Sequence, residues 1–92
     1  MSLPIVWSAV ARRRLVEITS YIAEHDAQAA DRLWQRLENA TLPLSEHPEL
    51  FRPGRIPGTR ELVVNANYIL VYRVLADEVD IVNVLHSRQE YP

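Results

Sequence analysis

Behind Ser8, the apolar residues Ala11, Leu15, Ile18 and Ile22 recur at intervals of four, three and four, the spacing of one buried face on an α-helix. Ser8 carries a hydroxyl suited to capping the first exposed amide groups, so the pattern predicts a helix from Ser8 to about Glu24. His25-Asp26 interrupts it. Asp26 is placed to cap a second helix, whose stripe is Ala30, Leu33, Leu37, Ala40 and Leu44 with Trp34 beside it. Pro43 removes one backbone donor and crowds the carbonyl of Asn39, which predicts a kink or an early stop there.

On either side of this helical hairpin the period shortens to two. Residues 3–7, Leu-Pro-Ile-Val-Trp, read as a short opening strand in which Pro4 favours a strand start or a sheet edge. The run HPELFRPGRIPG, from His47 to Gly58, holds three of the six prolines and both glycines and reads as a loop. Strand-like runs follow at Arg60 to Val64, Tyr68 to Leu75 and Val79 to His86, with connections short enough to require an antiparallel meander. The expected architecture is α+β, in the order β-α-α-β-β-β, with the helical hairpin packed on a small, mainly antiparallel, curved sheet and one domain spanning residues 1–92.

Strict alternation puts Ile69, Val71, Arg73 and Leu75 on one face of the middle strand and Tyr68, Leu70, Tyr72 and Val74 on the other. In the last strand it groups Val79, Ile81 and Leu85 against Val82, Val84 and His86. Both faces are largely apolar, yet one helical hairpin covers only one. Sheet curvature, the 47–58 loop, the C-terminal tail or another protein must cover the second.

Composition narrows the chemistry. The 92 residues include no cysteine, which excludes disulfides, thiolate metal sites and thiol nucleophiles and fits a reducing cytosol. No run approaches the ~20 apolar residues of a spanning helix, and the expectation is a soluble cytoplasmic protein. A net charge of −2 argues against coating nucleic acid through bulk positive charge. All ten basic residues are arginine, so every cation is a planar fork suited to carboxylate or phosphate, although genomic base composition produces the same bias. His25, His47 and His86 lack metal-ligand spacing, and neither a metal nor a cofactor is expected.

A metal-free ribonuclease needs a base for the 2′-hydroxyl, a cation for the phosphorane, an acid for the leaving oxygen and an aromatic for the base. Arg60, Arg73 and Arg88 are the candidate cations, and His86 the proton carrier. Glu46 and His47 form a second proton-carrying pair, with Tyr72 or Tyr91 as the stacking group. Each has a plainer role. His86 suits a backbone-bonded residue at a sheet end, Arg60 and Arg73 an ion-paired edge with Glu61 or Asp80, Glu46-His47 a helix end, and Trp34 the core. Arg12, Arg13 and Arg14 are 100° apart on a helix and read as a solvated face.

The segments IVWSAVARRRLVEITSYI, AADRLWQRLENATLPLSEHPELF, GTRELVVNANYILVYRV and IVNVLHSRQEYP together resemble the RelE/ParE superfamily of type II toxins. The tryptophan-containing second helix followed by LPLSEHP is similar to the ParE branch. The resemblance implies growth inhibition and a cognate antitoxin, small and partly disordered, acidic or DNA-binding, in a hetero-oligomeric complex. ParE-like members are associated with DNA gyrase; RelE-like members are similar to ribosome-dependent endonucleases that cut mRNA. The nuclease pattern places arginine after the strand-three aromatic, where this chain has Ile69, and a related group has histidine and aspartate where it has Val63 and Asn67. Val84, Leu85, His86 and Arg88 fit the V-L-H-x-R ending of ParE-like members, while His86-Ser87 also resembles the nuclease ending.

The expectation is therefore a toxin that binds a protein target, with a mRNA interferase using Arg60, Arg73, His86 and Tyr91 as the rival. A decayed toxin that only binds its antitoxin is a third reading. Trp34, Leu50, Phe51 and Ile56 are the expected apolar contacts with antitoxin or target, and Arg60, Arg73 and Arg88 the expected partners of antitoxin carboxylates.

Overall fold

A computed structural model of the chain describes residues 2–88. Its elements run β1 (Ile5–Trp7), α1 (Ala9–Ala23), α2 (Ala27–Ala40), a 3-10 turn (Leu42–Ser45), β2 (Arg52–Pro53), β3 (Arg60–Val63), β4 (Tyr68–Val74) and β5 (Val79–His86). The strands form one sheet in the order β1-β5-β4-β3-β2, in which β1 and β5 are parallel and the other pairs antiparallel. This is the α+β arrangement expected from the sequence, with one parallel edge and one extra two-residue strand inside the segment read as loop.

Both helix starts are fixed by their caps. The Ser8 hydroxyl accepts from the Ala11 amide at 3.0 Å and the Asp26 carboxylate from the Ala29 amide at 3.0 Å, each satisfying a donor that the helix leaves open. Helix α2 stops at Ala40, and the chain tightens into the 3-10 turn containing Pro43, as proline at that position requires. The turn keeps Leu44 fully buried, so the apolar stripe outlasts the α-helix that began it.

The core lies between the helices and one face of the sheet. Ala11 and Leu15 of α1, Leu37 of α2 and Leu44 meet Leu62, Leu70, Tyr72, Val79, Ile81 and Val84. Ile18 and Ile22, expected in the buried stripe, are only half-buried, while Thr19 is buried with its hydroxyl donating to the Leu15 carbonyl at 2.8 Å.

Strict alternation fails in β5. Val71 pairs with Asn83 but Tyr72 pairs with Ile81, so Val82 is an extra residue and the phase of the strand shifts there. Ile81 and Val84 consequently share the helix-facing side, while Asn83 and Leu85 lie on the other. The sequence grouping of Leu85 with Val79 and Ile81 is corrected by this bulge.

On the face away from the helices, Ile69, Val71 and Leu85 are 4%, 1% and 2% exposed within the chain itself. Part of the cover is internal. After β2 the chain turns over this face, and the Arg55 amide donates to the Glu61 carboxylate at 3.1 Å, in the row of Val71 and Asn83. The 47–58 segment, one of the four covers considered from the sequence, thus supplies it at Glu61, and the burial of these three residues needs no second protein.

Candidate functional site

The β3–β4 pairing organises two polar constructions on opposite faces. Arg60 stands opposite Tyr72 on the helix-facing side, and Glu61 stands opposite Val71 on the other.

On the first side, the Tyr72 hydroxyl donates to the Pro48 carbonyl at 2.8 Å. Arg60 donates from one nitrogen to the Phe51 carbonyl at 2.7 Å and to the Glu49 carbonyl at 3.4 Å. Three carbonyls of the 48–51 segment are therefore held by two strand side chains, and for the part-buried carbonyls of Pro48 and Phe51 this offsets the cost of reduced contact with water. Burial raises the Tyr72 hydroxyl pKa above its ordinary 10.0, and the positive field of Arg60 opposes part of that rise.

The neutral phenol is favoured by the fold, so its contribution is complete below pH 10 and is lost as pH climbs from 10 through the higher folded value. We expect the melting temperature to fall above pH 10 more steeply in the native chain than in Tyr72→Phe. Parallel alkaline melting curves of the two proteins would refute this assignment.

On the opposite side, Glu61 is 3% exposed and receives Arg52 at 3.0 Å, the Arg55 guanidinium at 3.4 Å and the Arg55 amide. The strap that carries these arginines is itself closed: the Gly54 amide donates to the Thr59 carbonyl at 2.7 Å, and the Thr59 amide and hydroxyl both bond to the Ile56 carbonyl. Gly54 admits no side chain because a Cβ there would overlap the Thr59 hydroxyl. Gly58 has φ +83°, a conformation that favours glycine, and a Cβ on it would stand 3.2 Å from an Arg73 nitrogen.

These constructions revise the expected roles of several residues. Arg60 is half-buried, with one guanidinium nitrogen bonded to its own chain's carbonyls, and it makes no ion pair with Glu61. Arg73 is adjacent to Tyr72 in β4 and so lies on the opposite face from Arg60; it stands across from Asp80 but makes no ion pair among the described residues. His86 sits at the far end of the helix-facing side, opposite Tyr68, whose ring it meets edge-on at 5.6 Å. Its Nδ1 accepts from the Arg88 amide at 3.1 Å, the backbone-bonded role considered for it. Tyr68 and Tyr72 are four positions apart in β4, about 13 Å along a strand, so Arg60, Arg73 and His86 are not gathered around one point. Tyr91 lies outside the described residues.

The apolar candidates also divide. Phe51 packs against the core and Trp34 is half-buried at its margin, its indole donating to Glu38, whereas Leu50 is 62% exposed and Ile56 half-buried. Arg88 is exposed. Of the arginine triplet, Arg12 lies over the Trp7 ring at 5.9 Å and Arg14 pairs with Glu17 at 3.0 Å, so only Arg13 is left as a purely solvated cation. The pairing of Glu61 with Arg52 and Arg55 went unforeseen, because three cations within nine residues carry no sequence signal that selects one carboxylate.

Two clefts flank the strands. One of about 350 Å³ is lined by Glu49, Pro53, Gly58, Thr59, Arg60 and Val74. Another of about 320 Å³ lies between α1 and the sheet end, lined by Arg14, Glu17, Ile18, Tyr21, Tyr68 and His86. Among the described residues no cluster of three histidine, aspartate or glutamate side chains forms a metal site, and no helix is long and apolar enough to cross a membrane.

A small sheet with one parallel edge, backed by a two-helix hairpin, is the fold of the ParE and RelE toxins. The sequence pattern of the family described as ParE toxin of type II toxin-antitoxin system, parDE, matches residues 5–91. The chain is 45% identical over 89 residues to the protein Y4kP of Sinorhizobium fredii, covering 96% of this chain and 92% of that one. It is 36% identical over 85 residues to the toxin RelE2 of Caulobacter vibrioides, covering 90% and 93%. A solved structure from P. aeruginosa, titled a chromosomal ParDE TA system, superposes with a TM-score of 0.81 at 20% identity over 92% of this chain and 96% of that one. The chain belongs to the ParE toxin family, within the RelE/ParE superfamily of type II toxin–antitoxin toxins.

Proposed function

We propose that the chain acts as a ParE-like toxin that arrests growth by binding DNA gyrase and is neutralised by a cognate antitoxin. The observation that carries this reading over nuclease chemistry is the dispersal of the candidate nuclease residues. Arg60 is engaged with loop carbonyls, Arg73 lies on the other face of the sheet, and His86 lies at the far end of the strand. Removing one properly aimed stabilising donor typically costs about two to three powers of ten in rate, and here the position after the strand-three aromatic is Ile69. A binding toxin requires no such constellation. It acts in the cytosol, where its target resides.

The antitoxin is expected to lay an amphipathic helix against the α1–α2 hairpin and an extended segment along the sheet, with Arg60, Arg73 and Arg88 meeting its carboxylates. Trp34, Phe51 and Ile56 remain the candidate apolar contacts with the antitoxin, and Leu50 the candidate contact with the target. Arg60 stays among the carboxylate partners through its remaining donors, since only one of its nitrogens is bonded to carbonyls of the chain.

Supercoiling of relaxed plasmid by purified gyrase is the direct test. Inhibition at micromolar chain is expected, with filamentation on induced expression without antitoxin. Full supercoiling at that concentration removes gyrase as the target. A second reading, a ribosome-dependent mRNA interferase, draws support from the relative named RelE2. It predicts codon-positioned cuts in translated mRNA by primer extension that vanish in His86→Ala or Arg73→Ala; such cuts would replace the gyrase reading.

A further inference from the structure

Leu50 is 62% exposed within the segment braced by Tyr72 and Arg60. An exposed leucine alone means little, since folded surfaces carry many apolar atoms. The brace distinguishes this one. Tyr72 has no exposed surface, and Arg60 is half-buried; between them they fix the carbonyls on both sides of Leu50. The Leu50 amide donates to the His47 carbonyl at 3.2 Å, and the His47 amide to that of Pro43 at 2.9 Å. The leucine is thus held in position before any partner arrives, and the ordering cost of binding through it is reduced accordingly.

The exposed charges of its rim are carboxylates. Glu46 and Glu49 are exposed, and neither forms a salt bridge among the described residues. Arg52 and Arg55 are directed to Glu61, and the half-buried Arg60 guanidinium lies beneath the segment on the Glu49 and Phe51 carbonyls. With His47 and Pro48, the two carboxylates and Leu50 line a hollow of about 330 Å³. Carboxylates around an apolar knob repel phosphate and anionic lipid and attract a cationic protein surface.

We propose that the 46–50 segment is the target-facing surface of the toxin, Leu50 entering an apolar socket rimmed by arginine or lysine on a protein partner. Enzymes that handle DNA carry such cationic surfaces, because they must neutralise phosphate. The occupant is the target protein, not the antitoxin and not a nucleic acid. This deepens the gyrase reading and rests on it for the partner's identity. Location and chemistry come from the loop.

The test uses the full chain and three variants: Leu50→Ser, the charge reversal Glu46→Arg with Glu49→Arg, and Tyr72→Phe. Each is measured for growth arrest on induction, inhibition of purified gyrase, thermal melting, and affinity for the cognate antitoxin by calorimetry. Leu50→Ser and the double reversal should each lower potency at least about tenfold, as loss of a central anchor does, with melting and antitoxin affinity unchanged. The native chain's inhibition should weaken as salt rises, and the reversed variant's should not. Tyr72→Phe, which keeps the ring but frees the Pro48 carbonyl, should lower potency by a smaller factor. Full potency in both Leu50→Ser and the double reversal overturns the proposal, as does a matching loss of antitoxin affinity, which would make this the antitoxin's surface. If the native chain arrests growth without inhibiting gyrase, the gyrase reading fails and growth arrest alone decides the loop. A native chain that causes no arrest removes both.

Discussion

Tyr72→Ala is expected to cost about 4 kcal/mol of folding stability, the scale measured for deleting a buried aromatic ring and leaving its cavity. A domain of 92 residues has roughly 5–14 kcal/mol in total, so the variant should be partly unfolded at body temperature or close to it. The size of the effect follows from position. Tyr72 is fully buried, lies in the central strand, touches the cluster built by Leu15, Leu37 and Leu44, and ties the 48–51 segment to that cluster through its hydroxyl. Tyr72→Phe separates the two contributions, since it keeps the ring and removes only the hydrogen bond, for about 1 kcal/mol. Urea titrations of the three proteins check both values. A loss below about 1 kcal/mol for the alanine variant would mean that the ring is not part of the core, since even modest large-to-small core changes exceed that.

Much of this core was readable in the sequence because period and packing agree there. Leu15 and Leu37 recur at helical spacing, are capped at predictable residues, and are fully buried. The three long strands are found within one residue of the ranges expected from alternation and turn composition. Where alternation was carried through β5 it failed, since a bulge is one added residue with no compositional mark in the run Val79 to His86. The half-burial of Ile18 and Ile22 is a tertiary outcome as well: the spacing of a stripe says which way a helix faces, but not how far the sheet beneath it extends.

The candidate site was less legible. Arg60 and Arg73 are both in strand runs, and only the register shows that they point to opposite faces, because Arg60 is opposite Tyr72 rather than Arg73. A one-residue slip would have placed both arginines together. Leu50 was singled out by its chemistry, yet its distinguishing feature is the brace beneath it, formed by side chains ten and twenty-two residues further along. The family resemblance was carried by contiguous segments and was accordingly the most accessible part of the reading, and it agrees with the match over residues 5–91.

Glu61→Ala is the second large expected effect, at about 2–3 kcal/mol. The carboxylate side chain is 2% exposed, and its partners are unequal to it, Arg52 and Arg55 having side chains 56% and 41% exposed. A fully buried pair broken on one side would cost more, about 3–5 kcal/mol, because a charge would be stranded away from water. Here the arginines can re-solvate, and surface screening discounts their share. What cannot re-solvate as easily is the Arg55 amide, whose acceptor is the carboxylate, together with the apolar face around Val71 that the strap helps to cover. Glu61→Gln should therefore recover roughly half of the loss, since its amide oxygen still accepts from that amide although the charge is gone. Hydrogen exchange at Arg55 should accelerate markedly in Glu61→Ala and less in Glu61→Gln, with the helices protected in both. Equal destabilisation by the two variants would place the whole effect in the ion pairs and leave the backbone contact without a stabilising role.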